Sequence, residues 1–264
     1  MVAEHTNLRL QKLNHLVQYI GLSLAIIAVW QGVFQLGYLN PVLLPPPSQV
    51  VLTFWDLLKT GALVRHIAIS ILRVLEGFGI AAVLGLGLGI AIGLSKAMDR
   101  LTDLIIQVVK PIPPIAWIPL AILWFGIGEQ SKVYIIFLGA FFPIIINTID
   151  GIRQTDHKFV EVARILAVPR FKFVRQVVLP GALPAIMTGL RVGLMVAWMC
   201  VVAAELIAAG SGIGYLIMDA RQLSQSDVVI VGMITIGVIG KLMDSLIKRL
   251  ENRLIRWKVA FSGN

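Results

Sequence analysis

Few residues of this chain have the types and spacing that covalent chemistry needs. The histidines His5, His15, His66 and His157 are scattered and lack zinc-ligand spacing. No serine, histidine and aspartate group into nucleophile, base and orienter. The one cysteine, Cys200, lies in an apolar run, which excludes an intramolecular disulfide and a cysteine-cluster metal site. Gly85, Gly87, Gly89 and Gly93 contain a G-x-G-x-x-x-G pattern. No Gly-Lys-Ser/Thr follows it and no strand precedes it, so it is not a phosphate loop. No catalytic residue, metal site or nucleotide site is expected.

The chemistry that remains is that of charges and prolines set among apolar runs. Arg73 and Glu76 stand three apart, share a helical face and are expected to pair. Arg191 can snorkel, pair with an acid or meet an anionic solute, and pairing is favoured. Glu205 is a poor direct ligand for an anion, so gating or pairing suits it better. Asp219 and Arg221 follow Gly210, Gly212 and Gly214, in a short re-entrant or surface helix open to a partner. Pro111, Pro113, Pro114 and Pro119 fall within nine residues, beside Trp117, Trp124 and Phe125. Each proline removes an amide donor and frees a carbonyl one turn back. Such carbonyls cannot face lipid, so this span is broken and turned inward. It is either a translocation-path wall, with Pro113, Pro114, Trp117, Trp124, Arg191 and Glu205 as candidates, or a static kink.

A polar, basic insert runs from Glu161 to Pro180 between long apolar runs. It reads as a helix, a break at Val168-Pro169, a second basic stretch and a stop at Leu179-Pro180-Gly181. Phe159, Val162, Ile165 and Leu166 have the spacing to lay one apolar face into a partner's groove. Exposed ion pairs of Glu161, Arg164, Arg170 and Lys172 would add only about 0.2–1 kcal/mol each, so that face must carry the affinity.

The elements that position these residues are membrane spans. The 264 residues are 58% hydrophobic and 14% charged, with a mean hydropathy of +0.87. Apolar runs near the length that crosses a bilayer recur throughout. Six spans are expected, at 16–36, 67–94, 101–127, 133–152, 183–208 and 228–247, with a cytoplasmic loop at 153–182. The first is too long for a signal-peptide core and should remain. With the N-terminus inside, 15 Lys and Arg fall in inner segments and 4 in outer ones. Both termini and the Glu161 loop are therefore expected in the cytoplasm. The net charge of +9 marks topology rather than nucleic-acid binding. After Leu44-Pro45-Pro46-Pro47, Ser48 is expected to cap a helix to Lys59, either interfacial or a plain connector. Gly85, Gly89 and Gly93 form a small-residue face for close helix approach.

These residues resemble the membrane subunits of ATP-binding-cassette importers. The family's cytoplasmic motif is EAA, three residues, Gly, nine residues, Ile, one residue, Leu-Pro. Glu161, Ala163, Leu179 and Pro180 match in register, while Val162, Ala167 and Val177 depart from it. The resemblance extends from about Leu43 to Ile247, through LPPPSQVV, PIPPIAWIPLAILWFGIGE, LPGALPAIMTGLRVG and VVAAELIAA. It is closest to the nitrate, sulfonate, taurine and bicarbonate subgroup. It implies an all-α, six-span, type I importer permease fold in the plasma (inner) membrane. It implies two permease copies forming a path for a small anion. Two cytoplasmic ATPases would hold the ATP and Mg, and a periplasmic or lipid-anchored binding protein would deliver solute. It assigns coupling to the ATPase to Glu161, Val162, Ala163, Ala167, Leu179 and Pro180. The competing reading is a self-sufficient secondary carrier or channel, which predicts an inverted repeat and a midplane ionisable cluster. An integral-membrane enzyme would need convergent catalytic residues at one face.

Overall fold

The computed structural model describes residues 21–22 and 24–255. Arg9, Lys12, Arg256, Lys258, His5, His15 and the first part of the expected 16–36 span lie outside them. The described residues are helical and contain no strand. Leu24–Gln35 is a short apolar helix, α1. Then follow α2 (Pro47–Lys59), α3 (Ala62–Leu94), α4 (Lys96–Val109), a 3-10 turn (Pro114–Trp117) and α5 (Ile118–Phe125). The remainder is α6 (Glu129–Arg153), α7 (His157–Ile165), α8 (Arg170–Phe173), a π turn (Val174–Val178), α9 (Leu179–Ala208), α10 (Ile213–Gln222) and α11 (Ser226–Leu254).

By length and composition, α3, α6, the run from Arg170 and α11 can each cross a membrane, and α4 with the Pro114–Phe125 segment makes a fifth, bent by 86°. Six spans were expected. The sixth rests on α1 and on residues outside the described ones.

The chain divides into two compact units, residues 1–63 with 217–233, and residues 64–216 with 234–264. In the first, Thr53 Oγ1 donates to Asp227 Oδ2 at 2.6 Å and Ser226 Oγ to the Val42 carbonyl at 2.5 Å. These bonds pin α2 and the 40–44 turn to the start of α11. Ser48 does not cap α2. The helix starts two residues earlier than such a cap requires, at Pro47, after Pro46 in extended backbone. Proline suits a first helical position because its missing N–H is an orphan there. Ser48 lies inside the first turn, and its N–H donates to Gln31 Oε1 at 3.3 Å.

The second unit is organised by small residues. A Cβ on Gly77, Gly85, Gly89 or Gly93 of α3 would fall within about 3 Å of Ile136, Ile144, Thr148 or Ile152 of α6. The pairs advance together, so α3 and α6 run parallel in fixed register. Gly139 and Gly151 of α6 meet Cys200 and Ala185 of α9, and Gly189 and Gly193 of α9 meet Asn147 and Ile144. That second pairing is antiparallel. Lipid offers apolar side chains no less than protein does, so van der Waals contact at close approach holds these helices. Two parallel helices also require that the chain between them return to its starting end. The bent segment 96–125 makes that return.

The break follows from the prolines. Helix α4 ends at Val109, Pro113 is extended (φ −58°, ψ 135°), and Pro114 opens the 3-10 turn. Gly126, with φ +76°, then turns the chain towards α6. Helix α4 itself is two-faced. Leu101, Leu104, Ile105 and Val108 are exposed on one side, and Asp103 bonds Gln107 on the other.

Candidate functional site

The loop around Glu161 is built from the cap outwards. Asp156 Oδ1 accepts from the Lys158 N–H at 3.0 Å and opens α7. Phe159, Val162, Ile165 and Leu166 are each more than half exposed, as is Phe171 beyond the break. Glu161 is exposed beside them. This apolar patch sits on an otherwise polar loop and has no core of its own to bury it.

The helix ends by a left-handed turn. Ala167 has φ +49°, the Val168 N–H donates to the Ala163 carbonyl at 2.9 Å, and the Leu166 N–H donates to Val162. This is the capping geometry that glycine normally serves. Alanine here keeps the turn at a steric cost of about 1–2 kcal/mol. Pro169 follows in extended backbone and caps α8.

The expected stop at Leu179-Pro180-Gly181 is absent. Backbone runs as helix from Arg170 through the π turn into α9, with Pro180 in its first turn. A π turn relaxes the i→i−4 ladder where proline has no N–H to give, so the helix passes through. The basic stretch is thereby continuous with α9. At the loop's other edge, Arg153 pairs with Asp99, joining the end of α6 to the start of α4.

The ionisable groups within the spans pair differently from the simplest expectation. Arg73 does not pair with Glu76, which is exposed. Its Nε and Nη2 bond both oxygens of Glu129 at 2.5 and 2.7 Å. Its Nη1 bonds Glu205 Oε1 at 2.8 Å and the Ser211 carbonyl at 2.7 Å. The reason is position. Arg73 faces the seam of three elements, and Glu76 lies off that seam. Glu205 is 1% exposed, and it also accepts from Ser70 Oγ and from the Gly214 N–H at 2.9 Å. His66, Ser70 and Arg73 lie on one stripe of α3. They bond Gly212, Ile213 and Ser211, strapping that turn down. Gly212 has φ +109°, and a Cβ there would strike the Glu205 carboxylate at 2.2 Å. Lys132 lies buried in the first turn of α6 and pairs with Glu129 at 3.0 Å.

Arg191 of α9 forms a two-pronged pair with Asp244 of α11, at 2.6 and 3.0 Å. Trp124 packs edge-on against Phe125 and Tyr134, and Trp117 is half-buried at the end of the 3-10 turn. Of the path candidates, Pro114 lines a cavity of about 350 Å³ between the broken span, α6 and α9. Arg191 and Glu205 do not line it. Sequence reasoning missed Glu129 as the partner of Arg73, because distant pairing leaves no local signal. Lys110 was not among the path candidates, although the adjacent prolines mark the place. No group of three or more potential metal ligands occurs among the described residues.

Comparison with known proteins agrees with this architecture. The chain is 46% identical over 242 residues to the putative aliphatic sulfonates transport permease protein of Bacillus subtilis, covering 92% of this chain and 88% of that one. It is 37% identical over 243 residues to the taurine transport system permease protein of Escherichia coli, covering 90% and 88%. It is 33% identical over 258 residues to the bicarbonate transport system permease protein of Synechococcus elongatus, covering 93% and 92%. The methionine ABC transporter MetNI, solved in inward-facing conformations, superposes with a TM-score of 0.65 at 18% identity, over 74% of this chain and 97% of that one. At that identity the likeness concerns the fold alone, the type I importer permease fold. The family described as binding-protein-dependent transport system inner membrane component matches residues 81–256, and this chain, a multi-pass membrane protein, belongs to it.

Proposed function

We propose that the chain is the membrane subunit of an ATP-driven importer for small sulfonates, working as a pair of copies. Two ATPases dock on α7 from the cytoplasm, where both termini also lie, and an extracytoplasmic binding protein delivers the solute. ATP and magnesium belong to the ATPases, and hydrolysis is theirs. The observation that carries this reading is the exposed apolar face of α7, set in a polar loop beside Glu161. The sulfonate class is favoured over bicarbonate by the higher identity to permeases named for sulfonates.

The loop can transmit force because it is not a tether. Only three residues separate the end of α6 from α7, the helix from Arg170 runs into α9 without a break, and α6 and α9 are packed through glycine contacts. Closure of the ATPases around ATP would move α7 and tilt α6 and α9 together, opening one side as the other closes. Such a shift requires the ATP-bound ATPase to prefer one of the two arrangements. Glu161, Val162, Ala163 and Ala167 form the docked segment, and Leu179 and Pro180 the rigid exit.

Co-purification tests the docking. Glu161→Lys and Ala163→Asp should insert in membranes at normal yield and lose the ATPase. Retention of the ATPase at wild-type yield would overturn the assignment. Uphill sulfonate uptake into vesicles by the permease without an ATPase would overturn the whole reading.

A further inference from the structure

The cavity beside the broken span has a polar corner and an apolar wall. Lys110 stands at the bend, between the end of α4 and Pro114. Its ammonium has no ion-pair or hydrogen-bond partner among the described residues. Asn147 lines the same cavity with its Nδ2 tied to the Pro143 carbonyl at 2.8 Å, so its carbonyl oxygen is fixed in place. Pro143 has no N–H, which frees the carbonyl of Gly139 one turn back, and both residues border the cavity. Phe142, Ile146 and Val192 line it as well and give it an apolar wall.

Its height matters. The α6 residues that line it, from Leu138 to Asn147, are the middle of a helix running from Glu129 to Arg153. Val192 and Val196 are likewise the middle of α9. A cation held at that depth without a carboxylate is costly unless water or an anion attends it. A freed carbonyl at that depth also needs a wet or occupied cavity. Two independent features therefore ask for the same thing, a polar guest against an apolar wall. About 350 Å³ suits a small solute.

We propose that this cavity is a solute subsite within the membrane, where Lys110 holds the sulfonate head of an alkanesulfonate and Phe142, Ile146 and Val192 cover its hydrocarbon part. Bicarbonate and nitrate have no hydrocarbon to lay on that wall. The proposal rests on the reading of this chain as a sulfonate importer subunit.

The test uses the complete transporter in proteoliposomes with ATP, and the probes are ethanesulfonate and pentanesulfonate. Lys110→Gln should lower uptake of both by about tenfold or more, with the ATPase still bound, while Lys110→Arg stays within about threefold. Val192→Phe should reduce pentanesulfonate uptake about fivefold more than ethanesulfonate uptake, because it fills the wall and not the corner. In the assembled transporter, Ile112→Cys should react with a charged thiol reagent, and ethanesulfonate should slow that reaction. Uptake by Lys110→Gln at the wild-type rate would overturn the subsite alone, and so would equal losses of both probes in Val192→Phe. Protection of Ile112→Cys with and without sulfonate would mean that a second copy fills the cavity, and would overturn it too. Wild-type transporter that takes up neither probe would instead sink the sulfonate reading on which the subsite stands.

Discussion

Arg73 on α3 meets Glu205 on α9 across 132 positions of sequence, Nη1 to Oε1 at 2.8 Å, with both side chains almost closed to solvent. Removing one partner of a buried pair leaves a charge that neither water nor protein compensates. Arg73→Ala should therefore destabilise the protein by about 3–5 kcal/mol. Arg73→Lys keeps the charge but loses the fork that reaches Glu129 and Glu205 together, and should fall between. Glu205→Gln should cost less than Arg73→Ala, because Arg73 retains Glu129. Thermal unfolding in detergent gives the order, and an Arg73→Ala protein as stable as wild type would refute the clasp.

The turn at Ala167 makes an opposite prediction, a gain. Ala167→Gly relieves the left-handed strain, offset in part by the greater freedom of glycine in the unfolded chain, for a net gain of about 0.5 kcal/mol. Ala167→Val places a branched side chain at the same positive φ and should loosen the turn. The Val168 amide, bonded to Ala163, reports both, with slower hydrogen exchange in the first variant and faster exchange in the second. The reverse order would show that the bond does not hold the end of α7.

Two glycines of α3 separate packing from propensity. A Cβ on Gly89 would lie 2.7 Å from Thr148 Cβ, whereas a Cβ on Gly79 would meet nothing within 4 Å. Gly89→Ala should cost about 1–3 kcal/mol by overpacking. Gly79→Ala should be neutral or stabilise by up to about 1 kcal/mol through helix propensity. Melting midpoints of the two variants, measured side by side, decide between them.

Arg191 and Asp244 join α9 to α11 through two parallel hydrogen bonds. Arg191→Asp and Asp244→Arg should each reduce the yield of folded protein, and the double exchange should restore much of it. Failure of the exchange to rescue would show that Arg191 acts on something other than Asp244, a passing anion included.

Part of this architecture was legible because it is local. The proline cluster dictates a break between Val109 and Pro114, since a proline amide cannot bond and a freed carbonyl cannot face lipid. The spacing of Phe159, Val162, Ile165 and Leu166 dictates a one-sided helix with no core of its own. The stop expected at Leu179-Pro180 failed for an equally local reason, because a five-residue π turn lets the helix continue. The cap expected at Ser48 failed because Pro47 already opens the helix.

The sequence by itself determined a lipid-solvated chain of apolar helices, its interrupted return span and its exposed, basic, amphipathic loop. Each follows from the period, length and chemistry of neighbouring residues. Tertiary structure alone decided that Arg73 chooses Glu129 and Glu205 over Glu76, that α3 lies parallel to α6, and that Lys110 stands by a cavity at the middle of two long helices. Partners far apart along the chain meet only when helix register brings their faces together. That register is set by which glycines admit close approach, and no stretch of sequence contains both sides of such a contact.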